Sequence, residues 1–357
     1  MSKLEELRVK LDKLDDDIAK LLHARAEVVL DVRKAKEQEK VDVYSPTRER
    51  QILNRVLSLD PNGKFPKPAL EKIFLSIISS SRSLIGDLKV GYVGPEFSLG
   101  REAGEAQFGG DLKFSPEASI EDVFKKVETK EVDYGVVPAI SSNGNFIAKT
   151  LDLLMQTPLQ IISEVNVKEK LCLVGKAPGL SAVRQVYADA YSFERAIPWL
   201  KNSLTGVDLK LVESSDLAIK IAKENSNAAA IALESAAIKN SLYVLASGIE
   251  SESQTEAKFY ILGFNKTEPT GNDKTVMACS VKEKAGALKD ILQPFSAANI
   301  SLLKIESRPV KIHGLEYVFF IDAIGHQNEK HFQNVLSQLE PLCSYIKIFG
   351  SFAQGVH

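Results

Sequence analysis

Cations at helical spacing are the first residues of this chain that could do chemistry. Arg25 and Lys36 are eleven residues apart, which on a helix leaves them about 20° apart around the axis, on one face. Charges on such a face must be paired or must meet a ligand. Arg48 and Glu49 follow near the start of the next candidate helix. A second grouping is Glu306-Ser307-Arg308-Pro309, after the largely apolar stretch 300–305. These four residues suit neither a core nor a tight turn. A strand end that catalyses, one that reads a ligand and a plain charged loop all remain open. Imidazole chemistry is confined to the ends: the histidines are His23, His313, His326, His331 and His357, so residues 24–312 have none.

Three textures of sequence position these groups. Residues 1–86 read as all-helical. Leu4, Leu7, Leu11, Leu14, Ile18 and Leu21 alternate spacings of three and four, the seam of a long helix packed on a partner. The next seam position is Arg25. Arg8 lies roughly 100° from Arg25 and Lys36, so one chain does not bring it to them and a partner chain could. Ser45-Pro46 reads as N-cap and first turn of a second helix, and Pro66 and Pro68 precede a third, ending near Gly86. Residues 88–266 alternate strand and helix, which predicts an α/β domain with its ligand cleft at strand ends. A linker, 267–272, leads into strand, helix, strand, strand, helix, strand over 272–357, a ferredoxin-like βαββαβ unit.

The totals exclude several classes. The 357 residues suit two or three domains. A net charge of −2 gives no support to nucleic-acid binding, and no apolar run approaches the roughly 20 residues of a membrane span. The acidic, amphipathic N-terminus is unlike a secretory signal. Cys172, Cys279 and Cys343 lack metal-ligand spacing and read as thiols of a reducing cytoplasm. No phosphate loop, metal cluster or nucleophilic triad stands out.

The helical segment, on the positions just given, resembles the helical chorismate mutases, which form an intertwined dimer of long helices. The resemblance implies that Arg25, Arg48 and the partner's Arg8 hold the substrate carboxylates, Lys36 meets the ether oxygen, Glu49 accepts the substrate hydroxyl and Ser81 lines the site. Chorismate is a dianion whose rearrangement to prephenate needs no nucleophile and no proton transfer. Cations that fold it and donors at the developing charge suffice. Ile85 stands where the family has Gln or Glu, a second donor to the ether oxygen.

Residues 88–266 resemble prephenate dehydratase, whose two α/β lobes enclose a cleft, as in periplasmic binding proteins. Gly94-Pro95-Glu96, residues 119–124, residues 133–138, Thr150-Leu151-Asp152, residues 229–232 and residues 259–263 carry the resemblance. The family's site motifs are altered. Ala139-Ile140-Ser141-Ser142-Asn143-Gly144-Asn145 keeps only Ser142 in place, Phe97 replaces a glycine, and Ala257-Lys258-Phe259 stands for Thr-Arg-Phe, whose Thr is the implied catalytic acid. The polar cleft set expected from sequence is Ser98, Ser141, Ser142, Asn143 and Lys258, with Phe259 beside them. Three outcomes stay open: the dehydratase reaction, a different reaction on a prephenate-like acid, and a catalytically silent domain.

The last segment resembles the ACT domain that follows prephenate dehydratase and binds phenylalanine. Gly286-Ala287-Leu288 opens a helix, and Glu306-Ser307-Arg308-Pro309 follows the second strand, which decides the open question for ligand reading. Taken together, the order of segments identifies the chain as a member of the bifunctional chorismate mutase/prephenate dehydratase family of phenylalanine biosynthesis. The expectations are no cofactor, chorismate and prephenate or a related acid as ligands, phenylalanine as effector, and a homodimer or homotetramer. A phenylalanine-sensing or partner-binding regulator without catalysis is the non-enzyme alternative.

Overall fold

A computed structural model describes residues 2–39, 44–59, 63–86, 88–110, 112–141, 145–250, 256–281, 285–309 and 317–354. The chain forms two compact units, 1–88 and 89–357.

The first unit is a helix trio: α1 (Lys3–Glu39), α2 (Pro46–Ser58) and α3 (Lys67–Ile85). Ser45 caps α2 as its sequence requires, its hydroxyl accepting from the Arg48 amide. The half-buried positions of α1 include Arg25, Ala26, Val29, Arg33 and Lys36, spaced to face one side. Arg25 and Lys36 therefore share a face, as their eleven-residue spacing requires. The seam before them is uncovered: Leu4 is 58% and Leu21 70% exposed. The exposed apolar positions therefore run along one face of α1.

Among the described residues the second unit holds three sheets. The first lobe is built from β1 (Lys89–Val93), α4 (Leu99–Phe108), β2 (Lys113–Glu117), α5 (Ile120–Glu128), β3 (Tyr134–Ile140), α6 (Ala148–Gln156) and β4 (Gln160–Lys168). The chain then crosses at 169–170 into a second lobe. It comprises β5 (Leu171–Gly175), β6 (Gln185–Ala188), α7 (Ala190–Ser203), β7 (Asp208–Leu211), α8 (Ser215–Glu224), β8 (Ala228–Leu233), α9 (Glu234–Lys239) and β9 (Tyr243–Ser247). β10 (Glu256–Gly263) returns to the first lobe. The sheet orders are β2-β1-β3-β10-β4 and β7-β6-β8-β5-β9. In each lobe three strands run parallel and the remaining pairings are antiparallel. Val90, Val136 and Val137 in one sheet and Ala228 through Ile231 in the other are fully buried, as parallel strands covered by helices must be.

The third sheet comprises β11 (Asp273–Val281), α10 (Ala287–Ala297), β12 (Leu302–Pro309), β13 (Tyr317–Ile324), α11 (Lys330–Leu339) and β14 (Cys343–Ala353). Its order, β12-β13-β11-β14, is that of the βαββαβ unit read from sequence. One expectation is corrected. Glu306 to Pro309 do not follow the second strand; they are its last four residues, paired with Phe320 to Tyr317. Burial alternates along β12, so Lys304, Glu306 and Arg308 share the half-buried face.

This sheet is packed onto the first lobe rather than tethered to it. Val276, Phe320 and Phe349 share one apolar core with Leu154, Ile161 and Tyr260. The segment read as a linker is part of the packing: Thr267 is 9% exposed and its hydroxyl donates to the Ser351 carbonyl. Between the two sheets lies a buried ionic cluster. The Lys274 ammonium, 1% exposed, reaches Glu164 of β4 and sits 2.8 Å from Asp322 of β13. Lys258 of β10 adds a second cation 3.1 Å from Glu164. Burial alone would raise the Glu164 carboxyl, but Lys274 and Lys258 outweigh it and hold it below its ordinary value. Burial likewise works against the charge on Lys274, and Asp322 and Glu164 more than offset it.

Candidate functional sites

In the helical unit, the Arg25 guanidinium donates to the Ser81 hydroxyl, and that hydroxyl donates to the Ile77 carbonyl at 2.6 Å. α1 and α3 thus hold one cation and one hydroxyl together, with Lys36 on the same face of α1. Glu49 lies near Lys36, whose charge draws its carboxyl down. Burial pushes that carboxyl up more strongly, and its main counterweight is Arg82. Arg82 grips both Glu49 oxygens, at 2.7 and 2.9 Å, and its guanidinium lies over the Tyr44 ring, 5.4 Å from the centroid. Sequence reasoning assigned Arg82 no role; the bidentate geometry that only arginine supplies shows it as the residue that orients Glu49. Within one chain Arg25 is therefore paired with Ser81, and Lys36 lies near Glu49. Arg48 lies on an exposed face, 3.4 Å from the Gln51 side-chain oxygen, and Arg8 is exposed on the uncovered half of α1. The side chain of Ile85 lies outside the described residues.

Between the lobes of the second unit is a cavity of about 620 Å³. Three helices begin at it: α4 through Ser98 to Gly100, α7 through Asp189 to Ser192, and α8 through Ser214 and Ser215. Each helix is capped, by Ser98, Asp189 and Ser214 respectively, so serine and aspartate placement explains why the chain turns into helix at these points. The first-turn amides and positive dipole ends face an anionic ligand favourably. The charged lining is acidic, comprising Glu169, Asp189 and Glu213, and among the described residues no Lys, Arg or His lines the cavity. Glu169 accepts from the Tyr191 hydroxyl at 2.9 Å, and Arg195 lies 3.5 Å from the same oxygen.

The expected polar cleft set is only partly assembled. Ser98 and Phe259 line the cavity. Lys258 does not: it neighbours Phe259 on β10, and successive side chains of a strand point to opposite faces. It faces Glu164 and the C-terminal sheet. Ser141 is spent on its own loop, its hydroxyl donating to the Asn145 carbonyl at 3.0 Å. Ser142 and Asn143 lie outside the described residues. Phe97 lines the cavity and also packs on a core cluster of the second lobe. It works with Asp216, which accepts from the Glu96 amide at 3.3 Å, and with Lys239, 2.6 Å from Glu105, to hold the lobes together.

On the C-terminal sheet, Gly286 precedes α10 with φ +87° and accepts at its carbonyl from the Asp290 amide. A Cβ there would meet nothing within 4 Å, so the demand for glycine is torsional rather than steric. Ala287 is buried and Leu288 exposed at the first turn. Ser307 and Pro309 are exposed on the outer edge of β12, while Glu306 is half-buried. Arg308 is engaged: it donates to the Ala148 carbonyl at 3.1 Å and lies 3.6 Å from Asp152.

Comparison with known proteins matches all three segments. The family model for chorismate mutase type II matches residues 7–85, that for prephenate dehydratase residues 90–267 and that for the ACT domain residues 275–341. The bifunctional chorismate mutase/prephenate dehydratase of Aquifex aeolicus is 34% identical over 359 aligned residues, covering 100% of this chain and 99% of that one. The enzyme of the same description from Pseudomonas aeruginosa is 33% identical, covering 99% and 98%. Among solved structures, prephenate dehydratase from Arthrobacter aurescens in complex with L-Phe is 25% identical with a TM-score of 0.65, covering 75% of this chain and 90% of that one. The full-length matches, in the same order as the three architectures described above, place this chain in the bifunctional chorismate mutase/prephenate dehydratase family.

Proposed function

We propose that the helical unit rearranges chorismate to prephenate, and that phenylalanine binding on the C-terminal sheet regulates the protein. The observation that carries the first part is that one chain pairs Arg25 with Ser81 and sets Lys36 near an Arg82-held Glu49. Cations and a hydroxyl there hold a folded dianion, and Arg82 fixes Glu49 to receive the ring hydroxyl. Pericyclic rearrangement asks for little more than this. In the same reading Arg48 and the Arg8 of a second copy close over the carboxylates. The uncovered leucine seam of α1 is where that copy docks. The test is chorismate turnover across a dilution series. Activity per chain is constant while the protein is dimeric and falls once dilution separates the copies; activity per chain unchanged in demonstrated monomers would overturn the shared site.

For the middle domain, residues 88–266, the family makes prephenate the natural ligand of the interlobe cavity, and three helix starts favour its carboxylates. The acid and the cation of the family motif are missing from it: Ala257 has no proton to give, and Lys258 faces away. General acid catalysis contributes about 10²–10⁴-fold, so phenylpyruvate formation is expected to run slower by about that factor than in a cleft that holds the acid.

Phenylalanine as the effector rests on Gly286, Ala287 and Leu288 at the α10 start and on Glu306 to Pro309, with the likeness to the L-Phe-bound dehydratase in support. Saturating phenylalanine is expected to raise the melting temperature, by the linkage that stabilises any bound native state. Gly286→Val, strained at positive φ, should abolish the shift. An equal shift in the variant would remove Gly286 from the site.

A further inference from the structure

We propose that Arg308, seconded by Lys304, is the positioning residue through which a ligand on the C-terminal sheet sets the wall of the interlobe cavity. This rests on the reading of that sheet as a phenylalanine site and adds its route of action. β12 presents one face to the first lobe, and both of its cations on that face are engaged. The Lys304 ammonium sits 3.9 Å from the centroid of the Phe146 ring. Arg308 holds the Ala148 carbonyl and lies beside Asp152, both on the first turns of α6. α6 has no side-chain N-cap of its own, because its capping position is Ile147. The start of the helix is instead held from two sides, by Arg308 and by the end of β3.

The second attachment leads to the cavity. Thr150, fully buried on α6, donates its hydroxyl to the Pro138 carbonyl at 2.6 Å. The Ile147 amide donates to the Ala139 carbonyl at 2.9 Å, and Phe146 bridges Ile140. Pro138 lines the cavity. Three contacts thus join the effector strand to the cavity wall: Arg308 to α6, Thr150 to β3, and Pro138 to the ligand space. A ligand that reorients the end of β12 changes the hold on α6, and α6 cannot shift without moving Pro138. Arg308 belongs to the effector motif and grips the catalytic lobe at once, so occupancy at one end is felt at the other by direct contact.

The test is amide hydrogen exchange over residues 138–141 and 145–150 of the full-length protein, with and without saturating phenylalanine, with binding measured separately by calorimetry. Coupling free energies between sites typically correspond to factors of about 5–150, so phenylalanine is expected to change exchange there by at least about fivefold. The double variant Asp152→Ala, Phe146→Leu removes the two side-chain partners on the lobe side, leaves Arg308 only the Ala148 carbonyl, and keeps the effector motif intact. It should still bind phenylalanine, with the exchange ratio between bound and free protein reduced by more than half. Arg308→Met is expected to reduce the ratio likewise in whatever fraction binds. A contact that only supports structure would speed exchange in both states equally and leave the ratio unchanged, and that result overturns the proposal. Binding without any change at these amides in the unsubstituted protein also overturns it, leaving the effector site standing. Absence of binding heat defeats the effector reading and this one with it.

Discussion

Replacing Arg25 with alanine lowers kcat/KM for chorismate by about 10²–10³-fold, the usual cost of losing one preorganised donor at developing charge. Arg25 is half-buried on α1 and already oriented by Ser81, so its guanidinium needs no reordering when substrate arrives. Arg25→Lys keeps the charge but not the planar fork, and falls between the two. Because α1 also meets α3 through Arg33, which donates to the Leu84 carbonyl at 3.5 Å, the helical content should be unchanged, which far-ultraviolet circular dichroism checks. The reciprocal change is Ile85→Gln. It restores the donor that the family places at the ether oxygen and should raise kcat by up to about 10²-fold. Loss of activity on Arg25→Ala with no gain on Ile85→Gln would mean that the site is complete without a donor at that position.

Removing the Lys274 side chain, as in Lys274→Ala, should destabilise the 89–357 unit by about 3–5 kcal/mol, because it leaves buried carboxylates without their shared cation. Asp322 loses its 2.8 Å partner, and Glu164 keeps only Lys258. Urea unfolding measures the loss. Replacing Lys274, Glu164, Asp322 and Lys258 together with apolar residues of similar size should recover most of it, since a buried ionic cluster is costly mainly when broken; failure to recover would show that the charges specify the packing of the two sheets. The pH dependence has a definite sign. Glu164 is held below its unfolded value of about 4.3, so its contribution is full above that pH and is lost as pH falls through the folded value. Lys274 is raised above about 10.4, so its contribution is full below that pH and is lost as pH rises through its folded value. Stability of this junction should therefore be flat from about pH 5 to 10 and fall on either side.

Much of this was legible in the sequence, for reasons that differ by residue. Local signals were reliable. Ser45-Pro46 announced α2, the leucine periodicity announced α1, and the eleven-residue spacing of Arg25 and Lys36 put them on one face. These depend only on neighbouring residues and helical geometry. Long-range partners were not legible. Lys274 meets Glu164, 110 residues away by subtraction of their numbers, and no local pattern points to such a pair. Arg82 adjoins Ser81, yet nothing short of the packing of α2 on α3 assigns it to Glu49. By its motif position Lys258 belongs in the cleft. The side of a strand that a residue occupies depends on register, and one position reverses it. Arg308 reads from sequence as part of a ligand motif, and the structure adds that it holds the start of α6. That role needs the C-terminal sheet to be seated on the first lobe, which only the shared core of Val276, Phe320 and Leu154 reveals.

The most direct measurement is to give the purified protein chorismate and to separate and identify the products over time. Prephenate should accumulate, with phenylpyruvate appearing far more slowly. Chorismate disappearing no faster than without protein would contradict the central claim that the helical unit is a working mutase.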